Sequence, residues 1–171
     1  RALGVHFQGD LPPPGVRYWR GPVLHEFDGC TWRQAPGQMY VKPALQYLGP
    51  AYRYNVTLEP SQQRWWFALD TVVESPNRYR VFLTFDNQLI ARDPVTQITS
   101  YDAVSYTRTR SEGTISKLAH RVETRLPANR NVRSVSLANE MRARVGSDQE
   151  YIDTVLALFR EGGFEYTLTP P

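Results

Sequence analysis

The segment RYWRGPVLHEFDGCTW, residues 17–32, brings together side chains that could carry out chemistry. Cys30 is the only cysteine of the chain, and a histidine, His25, precedes it closely. A cysteine with an aromatic residue nearby is also found around papain-like nucleophiles. Such a nucleophile needs a lowered thiol pKa, which a helix N-terminus and a partner histidine usually supply. If Cys30 is such a nucleophile, the surrounding sequence must predict both a helix that begins at Cys30 and a histidine beside it.

The local pattern indicates a hairpin rather than a helix. Asp28 and Gly29 form a pair that is typical of a two-residue β-turn, which would place Phe27 opposite Cys30 and His25 opposite Trp32. The letters RQAPGQ that follow are typical of turns and not of a helix. We therefore expect Cys30 to be a small buried apolar residue, as free cysteines commonly are.

A second arrangement of the same chemistry stays open at this point. Cys30 could pair with His120, oriented by Asp102, in a small cysteine enzyme, and such a thiol would react with iodoacetamide at neutral pH. The three histidines lack metal-ligand spacing, and one cysteine can form neither an intramolecular disulfide nor a cysteine cluster. The sequence predicts no metal and no cofactor.

Adjacent tryptophans form the other candidate site. Trp65 and Trp66 would point to opposite faces of a strand, so one of them could present its ring outside the core, with Arg53 as a basic neighbour. Such a platform could stack a cell-wall glycan or a peptide; the alternative is that other elements cover it. Nucleic acid is not expected, because the net charge of +3 is spread over 20 basic and 17 acidic residues.

Hydrophobic residues alternate with polar ones over the first two thirds of the chain. The segment AYRYNVTLE, residues 51–59, directs four side chains to one side, namely Tyr52, Tyr54, Val56 and Leu58, and the segment 79–85 repeats the pattern. Turn-forming clusters such as GDLPPPG and ESPN separate many short candidate strands. This pattern predicts an antiparallel β-sandwich or barrel-like domain.

The periodicity changes towards the C-terminus. Helical spacing predicts helices over 135–145 and 149–161, the second with Ser147 and Glu150 as a capping box and two glycines at its end. The segment 115–125 is compatible with a short helix or a loop. We expect a mainly β fold with C-terminal helices (α+β), a β domain over 1–112 and a helical lead-in over 113–171. No apolar run is long enough to span a bilayer, so this segment should be soluble.

Three stretches resemble one family when they are taken together. The segment 17–32 resembles the hairpin marked by tyrosine-tryptophan-arginine-glycine and then phenylalanine-aspartate-glycine in bacterial membrane-anchored transglutaminase-like proteins of the transglutaminase-like protein A type. YRVFLTFDNQLIARDPV, residues 79–95, resembles the next long hairpin of that family, and FREGGFEYTLTPP, residues 159–171, resembles the segment leading into its catalytic core. The order and spacing agree across nearly the whole chain.

The resemblance implies a noncatalytic domain in the periplasm, at the extracytoplasmic face of the bacterial inner membrane. The family's Cys-His-Asp core would follow this segment, so no catalytic residue is assigned here and Cys30 is not the nucleophile. The expected role is a spacer and docking surface for the core of a membrane-embedded parent, with a cell-wall component or periplasmic protein as a further partner. Phe159, Phe164 and Tyr166 are the expected docking residues.

Overall fold

The computed structural model describes residues 3–34, 44–76, 80–84, 86–111, 117–165, 167 and 169. The chain divides into two compact units, Arg1–Arg125 and Leu126–Pro171. The first is built mainly from β-strands and the second from helices. Each unit is considered by itself below.

The described part of the first unit contains short strands, one short α-helix and a single 3-10 turn, Pro14–Val16. The strands are β1 (Leu3–Phe7), β2 (Trp19–Arg20), β3 (Glu26–Phe27), β4 (Trp32–Arg33), β5 (Leu45–Tyr47), β6 (Tyr52–Leu58), β7 (Trp65–Trp66), β8 (Ala68–Leu69), β9 (Thr71–Val72), β10 (Val81–Leu83), β11 (Leu89–Ala91), β12 (Thr99–Tyr106) and β13 (Thr109–Ser111). The helix is α1 (Lys117–Glu123). The segment 115–125, whose sequence is compatible with a helix or a loop, is therefore helical in its central part.

The strands form antiparallel sheets. One sheet has four strands in the order β1-β6-β12-β9, and a second has three in the order β10-β11-β7. Three further pairs are β13-β5, β2-β8 and β3-β4. Short strands joined by tight turns are typical of antiparallel architectures, as the turn clusters predicted.

The alternation predicted for β6 is confirmed. Tyr54 and Val56 are fully buried and Leu58 is nearly so, whereas Asn55 and Thr57 between them are partly buried and Arg53 before them is exposed. A strand that is buried on one face alternates in this way because successive side chains point to opposite faces. Of the segment 79–85, the structure describes Val81 as buried and Leu83 as partly buried, while the two ends fall on residues that it does not describe.

The hydrophobic core joins the two largest sheets. The indole ring of Trp66 from the three-stranded sheet packs against the Tyr101 ring of the four-stranded sheet, with ring centroids 4.4 Å apart. The core also contains buried residues of both sheets, namely Val56, Leu58, Val72, Val81, Leu89, Ala91 and Ala103. Aromatic pairs at such distances contribute packing beyond the area they bury. The arrangement agrees with the expected sandwich-like domain.

A buried hydroxyl network crosses this core. The Tyr54 hydroxyl lies 2.7 Å from the Ser105 hydroxyl and accepts a hydrogen bond of 2.8 Å from the Leu69 amide. The Tyr101 hydroxyl donates to the Phe67 carbonyl. Burial raises the pKa of Tyr54 and of Tyr101 above the usual tyrosine value, so both remain protonated donors.

The second unit contains α2 (Val132–Ala143) and α3 (Asp148–Glu161), which contact each other. The predicted cap of α3 is confirmed, since the Glu150 amide donates to the Ser147 hydroxyl at 3.2 Å. The Glu150 carboxylate accepts from the Gly146 amide at 2.7 Å, one residue before the position that a capping box uses. Helix α2 begins three residues before the predicted residue 135 and ends two residues before the predicted residue 145. The start was missed because the N-cap, Asn131, makes no side-chain hydrogen bond of the kind that a sequence pattern predicts.

The division by contacts falls after Arg125, so α1 is grouped with the strands. The predicted boundary at residue 112 marks where the β-rich pattern ends, and it stays a prediction. Among the residues described, no helix combines the length and the apolar character needed to cross a membrane.

Candidate functional site

The hairpin around Cys30 has a longer loop than predicted. Phe27 pairs with Trp32 and Glu26 pairs with Arg33, so the loop consists of the four residues 28–31. The two-residue turn expected at Asp28 is therefore wrong, and so are the predicted opposite pairs. The rings of Phe27 and Trp32 stack instead, with centroids 4.7 Å apart.

Asp28 explains the longer loop. Its carboxylate accepts hydrogen bonds from the amides of Thr31 at 2.8 Å and Cys30 at 2.9 Å, and it forms an ion pair with Arg33 at 2.6 Å. These bonds, from Thr31 first, then Cys30 and Arg33, lower the pKa of Asp28 to about 2. An aspartate that bonds backbone amides two and three residues ahead favours this turn over the tighter one.

Cys30 lies on the exterior of this loop. The structure shows it as an exposed free thiol, so the prediction of a buried apolar residue is wrong. The prediction failed because the four-residue loop moves Cys30 out of the strand pairing and into the turn. The Cys30 thiol has no hydrogen-bonded histidine among the described residues. The described part of the chain provides no environment of an activated nucleophile around it.

The proposed partners of a cysteine enzyme have other neighbours. Asp102 on β12 accepts a hydrogen bond of 3.1 Å from Asn55 on the adjacent strand β6. His120 lies exposed on α1. In the ranges that the structure describes, no group of three acidic, histidine or cysteine side chains could hold a metal ion.

His25 instead belongs to a set of groups that the sequence pattern did not reveal. Its Nε2 atom lies 3.1 Å from an Asp86 oxygen and 3.6 Å from a Glu123 oxygen, and its side chain is only 7% exposed. The second Asp86 oxygen accepts a hydrogen bond from Thr84. These residues come from the hairpin, the turn after β10 and the end of α1. Because they are remote in sequence, only the fold brings them together.

The two tryptophans of the predicted platform occupy different environments. Trp66 is 3% exposed and belongs to the core, whereas Trp65 is partly exposed. Trp65 lines a cavity of about 210 Å³ together with the glutamines 34, 62 and 63, Arg64 and Ile90. Arg53 is exposed on β6. That these aromatic residues bind a ligand stays a prediction. Of the two tryptophans, Trp65 presents an aromatic wall to the cavity.

The second unit exposes large apolar side chains on α3 and just after it. Ile152, Leu156 and Phe159 recur at helical spacing and are 51%, 49% and 58% exposed. Phe164 is 62% exposed, and its ring contacts that of Phe159 with centroids 5.5 Å apart. Tyr166, the third expected docking residue, lies outside the described residues. None of the fourteen residues of α3 is fully buried within the chain.

Comparison with known proteins finds a curated bacterial relative. The chain is 36% identical over 172 residues to a protein-glutamine gamma-glutamyltransferase of Pseudomonas aeruginosa. The match covers 99% of this chain and 25% of the relative. The chain therefore spans about a quarter of the length of that curated relative.

Solved structures agree with the observed fold. The periplasmic domain of TgpA from Pseudomonas aeruginosa matches with a TM-score of 0.85 at 34% identity, covering 99% of this chain and 59% of that one. The same domain bound to ethylmercury matches with a TM-score of 0.84, covering 60% of its chain. The predicted fold class, mainly β with C-terminal helices, is confirmed. The family model described as the TgpA N-terminal domain matches residues 1–112, which confirms the resemblance seen in the sequence: the chain belongs to the TgpA N-terminal domain family.

Proposed function

We propose that this chain is a noncatalytic accessory domain of a membrane-anchored, TgpA-type transglutaminase-like protein. It lies on the periplasmic side of the inner membrane, where it acts as a spacer and docking surface for the catalytic core. The proposal of a core partner is supported by the relatives, because this chain matches about three fifths of the TgpA periplasmic domain and a quarter of the full transferase. The reacting cysteine of the parent is outside this chain.

The exposed apolar stripe of α3 carries the docking proposal. An amphipathic helix normally buries its apolar stripe against another element. Here Leu156, Phe159 and Phe164 each expose about half or more of their surface. The proposed occupant is the remainder of the periplasmic domain, which the relatives support because this chain aligns with only 59% to 60% of those structures.

The apolar area at stake is large enough to matter. Ile152, Leu156, Phe159 and Phe164 expose roughly 100 Å² each, given their exposed fractions and side-chain areas of about 150–250 Å² for aromatics. At ~25 cal/mol per Å², covering all four would contribute a gross ~10 kcal/mol as an upper limit. Ordering the joined units offsets part of that gain.

Hydrogen exchange tests the docking surface directly. The amides of α3 are compared in this chain and in a longer protein in which the chain continues into a transglutaminase-like core. Docking predicts slower exchange of α3 in the longer protein, and Phe159→Asp should remove that protection. Ile98, 65% exposed in the first unit, gives the control Ile98→Asp, which should leave α3 unchanged. Equal α3 exchange in both proteins would refute the docking role.

A transamidation assay tests the noncatalytic status. Incorporation of a fluorescent amine into a glutamine-containing protein should be absent with this chain alone. Cys30 is the only cysteine available, and its thiol is exposed without a histidine partner among the described residues. Measurable incorporation that disappears in Cys30→Ser would contradict the proposal.

A further inference from the structure

We infer that the cavity beside Trp65 binds one pyranose ring of a neutral glycan chain. The site lies in the first unit and does not depend on the docking role proposed for α3. Its lining combines an aromatic wall, three glutamine amides and one guanidinium, and no carboxylate lines it among the residues that the structure describes. This composition resembles small-ligand sites, which are largely apolar with a few polar groups that fix orientation.

The apolar wall is held by the three-stranded sheet. Trp65 on β7 pairs directly with Ile90 on β11, and Ile90 is only 4% exposed. A pyranose ring presents C–H groups on one face, which pack on an indole ring and transfer apolar area out of water. The partly exposed Trp65 ring therefore provides a surface of the right kind, fixed in place by strand pairing.

The polar groups offer donors and acceptors together. Each glutamine amide has two N–H donors and a carbonyl acceptor, which match sugar hydroxyl and acetamido groups. The side-chain nitrogen of Gln34 donates to the side-chain oxygen of Gln88 at 3.0 Å. The side-chain nitrogen of Gln88 in turn donates to the backbone carbonyl of Gly21 at 3.2 Å. Gln88 is 2% exposed, so it anchors Gln34 from within the protein. The remaining donor and acceptor of Gln34 can bind a ligand.

The loop that carries the other two glutamines is fixed by Val95. The amides of Ser61 and Gln62 both donate to the Val95 carbonyl at 3.0 Å, and the Val95 amide donates to the Gln63 carbonyl at 2.9 Å. Gln62 has a φ of 57°, in the left-handed region that residues other than glycine rarely adopt. Such a conformation is retained where the surrounding structure holds it, often at ligand sites. A rigid loop lowers the entropy cost of binding.

The size of the cavity and the short strand beside it favour a sugar over a peptide. A volume of about 210 Å³ is below the ~300–1,000 Å³ of pockets for larger ligands, so one ring fits better than several side chains. Strand β7 contains only two residues, which is a short edge for an added peptide strand. The Nε atom of Arg64 donates to the Ala91 carbonyl at 3.1 Å, which fixes this side chain in the lining.

The test is an NMR titration of the chain with the trimer of β-1,4-linked N-acetylglucosamine. The indole N–H signal of Trp65 and the side-chain amide signals of Gln34 should shift saturably, while the indole of Trp32 should not. Trp65→Ala should weaken binding by about tenfold or more, the loss that ~1.4 kcal/mol of packing produces. Trp32→Ala is the matched control, because Trp32 is a 54% exposed tryptophan elsewhere in the unit.

Gln63→Ala keeps the test valid if Trp65→Ala fails to fold, because the Gln63 side chain is exposed and its backbone bonds remain. This variant should also bind the trimer several-fold more weakly. Absence of any Trp65 shift at millimolar trimer overturns the inference, as do shifts centred on Trp32. A saturable Trp65 response to benzyloxycarbonyl-glutaminyl-glycine with none to the sugar overturns it in favour of a peptide site.

Discussion

Removing the Tyr54 hydroxyl should destabilise the first unit more than removing the Tyr101 hydroxyl. That oxygen interacts with the Ser105 hydroxyl at 2.7 Å and accepts from the Leu69 amide at 2.8 Å. Tyr54, Ser105 and Leu69 are all 0% exposed, so water cannot replace the lost partner. The three residues belong to β6, β12 and β8, and the hydroxyl therefore joins β8 to the four-stranded sheet.

The expected magnitude follows from the two groups left behind. Tyr54→Phe leaves the ring in place, so the cavity term is small. It leaves the Leu69 amide and the Ser105 hydroxyl buried without this partner, and each such group costs about 1–3 kcal/mol. We expect a loss of about 2–4 kcal/mol in the free energy of unfolding, which lowers the melting temperature by roughly 5–15 °C.

Urea unfolding followed by tryptophan fluorescence measures this loss. Tyr101→Phe is the matched control, because it removes a hydroxyl of similar burial that donates to a single carbonyl, that of Phe67. It should cost about half as much, at ~1–2 kcal/mol. Ser105→Ala combined with Tyr54→Phe should cost less than the sum of the single variants, because the two hydroxyls share one bond.

A loss below ~0.5 kcal/mol for Tyr54→Phe, with an unchanged urea dependence, would refute this reasoning. It would mean that the core relaxes or admits water to satisfy both groups. A cost for Tyr101→Phe equal to or above that for Tyr54→Phe would also contradict it, because the number of partners would then not set the cost.

Three further outcomes are expected around the hairpin. The Asp28 carboxyl should titrate near pH 2 in a carbon NMR experiment. Because its folded pKa is lowered, its contribution to hairpin stability is present above pH ~4 and is lost as the pH falls through about 2. A titration midpoint at the usual 3.8 would contradict the bonds described. His25→Leu should cost about 1.5–3 kcal/mol in unfolding free energy, because it removes a nearly buried bond to the Asp86 carboxylate. Glu123→Gln, at 3.6 Å and 45% exposed, should cost below ~1 kcal/mol, and equal costs would show that the shorter contact does not dominate. Cys30 should react with iodoacetamide in the folded protein at the rate of an ordinary exposed thiol, and protection until unfolding would contradict its exposure.

Several elements could be predicted because their signals are local. The burial of Tyr54 and Val56 follows from alternation along one strand, and the start of α3 follows from the serine cap at Ser147. The family resemblance likewise depends on short stretches read in order. The hairpin near Cys30 was predicted in place but with the wrong loop, because the turn pair Asp28-Gly29 is compatible with two loop lengths. The signal for the longer one was the aspartate itself, whose carboxylate can accept from backbone amides two and three residues ahead.

The sequence by itself determined the β-rich class, the strand faces and the family, since each depends on residue order and on the two periods of backbone geometry. Only the tertiary structure decided which chemical groups meet. His25 contacts Asp86 and Glu123, and Gln34 bonds Gln88 beside Trp65, through pairings between segments distant in the chain. No local pattern encodes such pairs, because their distances depend on sheet register and on loops that close over long separations.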